Sequence, residues 1–349
     1  MKSLSTHNLL LISVTAALLA PVAAGASTLQ LYAENYNSNS IRVFTSGSSA
    51  APVFAGGLSS PAGLAIDSNG NLYAANSTAK TIVKVTPSGA QSVFASTYGV
   101  PDGLAIDSSG NLYASILFQN SIEKFTPAGV GSFFAGTGVG PTGLAFGPNG
   151  DLYVANVQDE NIQQITPGGV VAIFASTAKN DTSLTHSQPY GVAFDAGGNL
   201  YVTDSGFDVI DKFAPDGTET LFSRAGVGGP TGPVFDSAGY LYVADGDTKQ
   251  IDRYAPDGTE SVFANTGLSG PTYLAVKLEV ATPEPNPLGL LLTGAIPLVL
   301  LKRRTPHQSR PEKAVIRRDA VTGLPVLSAG RKAPPLTSEQ VQDILSDLP

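Results

Sequence analysis

Pro61-Ala-Gly-Leu-Ala-Ile-Asp-Ser-Asn-Gly-Asn-Leu-Tyr-Ala-Ala-Asn76, continued by Thr81-Ile-Val-Lys-Val-Thr-Pro-Ser-Gly89 and Ser92-Val-Phe-Ala95, is one full unit of a pattern that fills most of the chain. Four short apolar runs of strand length alternate with turn residues. The expected strands are a (Pro61 to Asp67), b (Asn71 to Asn76), c (Thr81 to Thr86) and d (Ala90 to Ala95). The opening proline returns at Pro101, Pro141, Pro189, Pro230 and Pro271, and the Leu-Tyr step at Leu31-Tyr32, Leu112-Tyr113, Leu152-Tyr153, Leu200-Tyr201 and Leu241-Tyr242. The two series are out of phase. The chain starts inside a unit, and the missing opening strand arrives only with Pro271-Thr-Tyr-Leu-Ala-Val276.

A period of about forty residues with four strands per period predicts an all-β propeller, one blade per unit, closed so that no blade edge is left open. The count gives a six-bladed β-propeller closed by the C-terminal strand, which completes the first blade. Turn chemistry agrees. Asp67-Ser-Asn-Gly70 between a and b, and Pro87-Ser-Gly89 between c and d, supply an acceptor for backbone N–H groups, a preset φ and a glycine for positive φ. The recurring Tyr on b and aromatic on d (Phe54, Phe94, Phe134, Phe174, Phe222, Phe263) are expected as core between blades rather than as a ligand box.

The two ends carry a different composition. Residues 1–26, with Lys2, an apolar run from Leu9 to Leu19 and Ala24-Gly25-Ala26, have the layout of a secretory signal peptide. The ring is then expected over residues 27–280. Residues 281–304 hold Pro283, Glu284 and Pro285, an apolar stretch from Leu288 to Leu301, and Lys302, Arg303 and Arg304. This order resembles the PEP-CTERM sorting signal of exported bacterial proteins. The resemblance implies an exosortase-type processing enzyme as a partner, a transient membrane anchor, and delivery to the cell envelope, surface or exopolysaccharide matrix. Residues 305–349 form a Pro-rich, basic tail. Thr337-Ser-Glu-Gln340 predicts the start of a short helix there, and Gly323-Leu-Pro-Val326 followed by it is loosely similar to the toxin-docking tails of small antitoxins. A tail that recruits a cytoplasmic partner before processing is a third, weaker reading.

Charge separates ring from tail: residues 29–280 carry 22 acidic and 10 basic residues. An acidic ring repels phosphate backbones, so nucleic acid is not an expected partner. The chain has no cysteine, which excludes thiol chemistry and disulfide staples.

The units resemble NHL repeats and the six-bladed family that includes gluconolactonase-type lactonases. That resemblance implies a divalent metal, such as Ca²⁺, at the channel mouth, with ligands at the residue between Pro and Gly. Here that ring reads Ala62, Asp102, Thr142, Tyr190, Thr231 and Thr272. Only Asp102 is a good ligand for a hard cation, and such a site needs several oxygens. A second ring, at the end of strand b, reads Asn35, Asn76, Ile116, Asn156, Asp204 and Asp245. Asp204 and Asp245 are weak metal candidates; capping of the b–c turn is the simpler role, because the position repeats. The streptogramin lyases, built of related repeats, use a histidine base. The one histidine within the ring, His186, lies in an insertion that lengthens its unit to 48 residues. With Asp181, Tyr190 and Asp102 it forms the candidate binding mouth. The favoured expectation is a non-enzymatic module binding a polysaccharide or an envelope protein, without a cofactor. The alternative is a metal-dependent hydrolase or lyase at the channel mouth.

Overall fold

A computed structural model describes residues 28–45, 51–178, 186–224 and 228–279, together with two short strands at 315–318 and 325–328. Residues 1–284 and 285–349 are separate compact units. The first holds six four-stranded antiparallel sheets.

The quoted unit forms the second blade: strand a is Pro61–Ile66, b Leu72–Asn76, c Thr81–Val85 and d Gln91–Ser96. Each boundary falls within a residue of its expectation. The third to sixth blades repeat it, with strands a at Pro101–Ile106, Pro141–Phe146, Pro189–Phe194 and Pro230–Phe235. The first blade is assembled from both ends of the ring. Pro271–Glu279 pairs antiparallel with Thr28–Asn35, in the register Leu31↔Val276 and Asn35↔Pro271. The same strand also lies beside strands a of the second and sixth blades, which closes the inner circle.

Local chemistry explains why the unit repeats so regularly. Asp67 Oδ1 accepts the N–H groups of Asn69 and Asn71 at 2.9 and 2.8 Å, and Oδ2 accepts Asn71 Nδ2–H and the Tyr73 hydroxyl. Gly70 then turns the chain at φ +79°. Burial opposes ionisation of Asp67, but the hydrogen bonds from Asn71, Asn69 and Tyr73 outweigh it and hold the carboxyl below its usual range. Asp107 and Asp195 repeat the arrangement.

Aromatic packing differs in one respect from the expectation. The Tyr on b and the Phe on d meet edge to face inside one blade, as Tyr73–Phe94 and Tyr113–Phe134 do at 5.0 Å. Contact between blades runs from those same rings to the neighbour, as Phe94–Phe125 and Tyr113–Phe146 do at 6.4 and 5.1 Å. Edge-to-face pairs at these distances add about 0.5–1.5 kcal/mol beyond area burial.

In the second unit, Val315–Arg318 pairs antiparallel with Pro325–Ser328. No strand is expected there from the local residue pattern. The expected helix at Thr337 lies outside the described residues, as do residues 1–26, expected as a signal peptide, and Pro283, Glu284, Pro285, Lys302, Arg303 and Arg304, expected as parts of a sorting signal. No helix of the described residues is long and apolar enough to cross a membrane.

Candidate functional site

Strand a of each blade begins at its proline and runs along the ring axis, so the two residues after the proline decide what fills the centre. In five blades the second is glycine, at 63, 103, 143, 191 and 232. A side chain there would overlap the carbonyl of the next blade's strand a, for example Asp102 O against Gly63 and Thr142 O against Gly103. Facing that glycine, strand b carries a small residue: Ala75, Ser115, Ala155, Thr203 or Ala244. The hydroxyls among them tie neighbouring blades together. Ser115 Oγ donates to Thr142 O at 2.7 Å, and Thr203 Oγ1 donates to Thr231 O.

The first blade breaks both rules at once. Tyr273 stands at the glycine position and Glu34 at the small position. The Tyr273 hydroxyl donates to Asp102 Oδ1 at 3.0 Å, and its ring lies 5.8 Å from that of Tyr190. Glu34 is fully buried, and neither carboxylate oxygen has a hydrogen-bond partner. First, third and fifth blades thus converge on one polar cluster of two carboxyls and two phenols.

Its electrostatics follow from burial without a cation among the groups that act on it. Burial, then the charge of Asp102, raises the Glu34 carboxyl well above its ordinary range. Burial raises Asp102 to about 7, against the opposing effect of the Tyr273 hydrogen bond. Both phenols are pushed up, Tyr190 by burial and then Asp102, Glu34 and Tyr36, and Tyr273 by burial and then chiefly Asp102. On its other side Tyr273 closes a funnel of about 340 Å³ walled by the later residues of all six strands a, among them Leu64, Leu104, Leu144 and Val192.

Of the sequence-predicted residues, Asp102 and Tyr190 belong to this cluster. His186 does not share their contacts: its imidazole is largely exposed and Nδ1 lies 3.1 Å from Glu160 Oε1. Asp181 lies outside the described residues. Asp204 and Asp245 cap loops. Asp204 Oδ1 accepts the N–H groups of Gln188, Gly206 and Phe207, and Oδ2 is 2.6 Å from Ser187 Oγ. Asp245 accepts those of Gly228, Asp247 and Thr248. Asn35 and Asn76 do the same for Ser269 and Ser59. Each cap joins the b–c turn to the loop that precedes strand a. Lone pairs so engaged are poor ligands for a cation, and among the described residues no three His, Cys, Asp or Glu side chains gather at metal distance. The donors present therefore do not fit a lactonase-type divalent ion.

Glu34 and Tyr273 escaped the sequence reading, although a signal existed. Aligning the first blade on the other five shows a tyrosine where glycine recurs, opposite a glutamate where alanine, serine or threonine recurs.

No family model matches the chain, and no curated protein matches it by sequence. Solved structures match its fold. The structure described as a nidogen/laminin complex aligns with TM-score 0.62 at 18% identity, over 71% of this chain and 98% of that one. A gluconolactonase from Xanthomonas campestris aligns with TM-score 0.52 at 18% identity, over 60% and 77%. A virginiamycin B lyase from Staphylococcus aureus aligns with TM-score 0.50 at 18% identity, over 70% and 78%. The fold is shared with structures of both binding proteins and enzymes, and the chain is a six-bladed β-propeller of that general kind.

Proposed function

We propose that the chain is an exported six-bladed propeller that works as a binding module at the bacterial cell envelope, sorted there by its PEP-CTERM-like segment after recognition by an exosortase-type enzyme. One observation carries this reading: the acids nearest the axis are sealed. Glu34 is fully buried and Asp102 nearly so, beneath two tyrosines, and the acids of the outer ring spend their oxygens on backbone N–H groups. A general acid or base must reach substrate, and neither set does. What the ring offers instead is a rigid frame with short loops on one face, the arrangement that suits recognition. The nidogen/laminin structure, in which a propeller of this shape belongs to a protein complex, is consistent with such a role.

The test has two parts. Fractionation of a bacterium expressing the full chain should find it at the surface, and substitution of Pro283, Glu284 and Pro285 by alanine should leave it in the membrane fraction. Elemental analysis of the purified protein after dialysis should find no stoichiometric divalent ion, with melting unchanged by chelator. A tightly held ion whose removal lowers Tm would restore the hydrolase reading and defeat this one.

A further inference from the structure

A groove that the axial cluster does not use lies between the fourth blade and residues 186–188, which lead into the fifth. It measures about 550 Å³ and is lined by Val157, Gln158 and Glu160 from the b–c turn of the fourth blade, and by His186, Ser187 and Gln188 from the segment leading into Pro189. We infer that this groove binds a segment of an uncharged polysaccharide, an inference that rests on the binding-module reading and names its ligand class.

The seat is rigid where it needs to be. Ser187 is buried, with Oγ 2.6 Å from both Asp204 Oδ2 and Thr177 Oγ1, and Gln188 N–H is held by Asp204 Oδ1 at 2.9 Å. Gly206 packs so closely beneath that any side chain there would overlap His186 O. The fourth-blade wall is fixed as well, since Gln158 N–H donates to Val139 O and Asp159 accepts Val139 N–H at 2.8 Å. Onto this frame the groove projects the exposed side-chain amides of Gln158 and Gln188. Each amide offers donors and an acceptor, the pairing that neighbouring sugar hydroxyls require. Glu160 adds an acceptor and fixes His186: with Nδ1 turned to Glu160, the imidazole presents Nε2 outward. Val157 supplies an apolar patch for the C–H face of a sugar ring.

Charge selects among polymers. Acidic residues outnumber basic ones 22 to 10 across residues 29–280, and Glu160 stands in the groove itself, so uronate- or phosphate-bearing chains are repelled while neutral ones are not. An open groove between two blades also suits an extended chain rather than an enclosed small molecule.

Affinity electrophoresis of the full chain through gels containing dextran, hydroxyethylcellulose or alginate tests this. The expected result is retardation by a neutral polymer, none by alginate, and loss of about tenfold in affinity for Gln158→Ala/Gln188→Ala and for His186→Ala, with Tm unchanged because these side chains are exposed. His186→Gln should recover part of the loss. Absence of retardation in both neutral polymers overturns the inference. Retardation that survives all these variants also overturns it while leaving the binding-module reading standing. New reducing ends in the retained polymer would instead defeat the binding-module reading, with the variants still deciding whether the groove is the contact.

Discussion

Tyr273 and Asp102 are 171 positions apart in sequence and joined by a 3.0 Å hydrogen bond between inner strands of the first and third blades. The bond favours the ionised form of Asp102 against its burial. Tyr273→Phe removes that support, so the Asp102 carboxyl should titrate higher than about 7, as followed by carboxyl NMR, and stability should fall by about 1 kcal/mol. An unchanged Asp102 titration would show that the hydroxyl does not act on it.

The Glu34 carboxyl makes a pH prediction of definite sign. Its folded pKa is raised, so its contribution is complete below the unfolded value of about 4.3 and is lost as pH rises through the folded value. Asp102 acts in the same direction between about 3.9 and about 7. Asp67, Asp107 and Asp195 are lowered and act oppositely, losing stability as pH falls below about 4. Urea denaturation from pH 4 to 9 should therefore show stability declining toward neutral pH, and Glu34→Gln should flatten the decline. A variant with the parental slope would remove Glu34 from the explanation.

Loop capping can be separated from metal binding at Asp245. Three N–H groups lose their acceptor in Asp245→Ala, which should cost about 2–4 kcal/mol and lower Tm equally with and without chelator. Asp245→Asn retains an acceptor and should recover part of that. A chelator-dependent difference would mean that the carboxylate holds an ion.

Closure predicts the effect of truncation. A chain ending after Ala264 lacks Pro271–Glu279 and leaves Leu31, Ala33 and Tyr32 of the first blade without their partner strand. It should lose the single cooperative melting transition and associate through the exposed edge, as seen by light scattering. A monomeric product with the parental Tm would show that closure adds nothing.

The blade count, strand limits and closure were legible because each rests on local signals repeated many times: a proline, an Asx turn, a positive-φ glycine. Asp102 was legible as a lone acid among neutral residues. The cap role of Asp204 and Asp245 was legible for the opposite reason, their recurrence around the ring. Glu34 and Tyr273 were harder because their meaning is relational. The glutamate in Leu-Tyr-Ala-Glu-Asn reads as an exposed acid until its partner strand, supplied from the far end of the ring, brings Tyr273 close enough to feel its charge. Likewise His186 finds Glu160 through the packing of adjacent blades, which no spacing in the sequence encodes.

Assembly of the first blade from both ends also has a kinetic meaning. Blades two to six can each form as their own strands emerge, since all four are contiguous, whereas Thr28–Asn35 must wait for Pro271–Glu279. During synthesis the earliest strands are thus the last to be satisfied, and their bare edge is exposed for nearly the whole delivery of the chain. The rate of delivery, rather than any one blade's stability, sets how long that vulnerable intermediate lives.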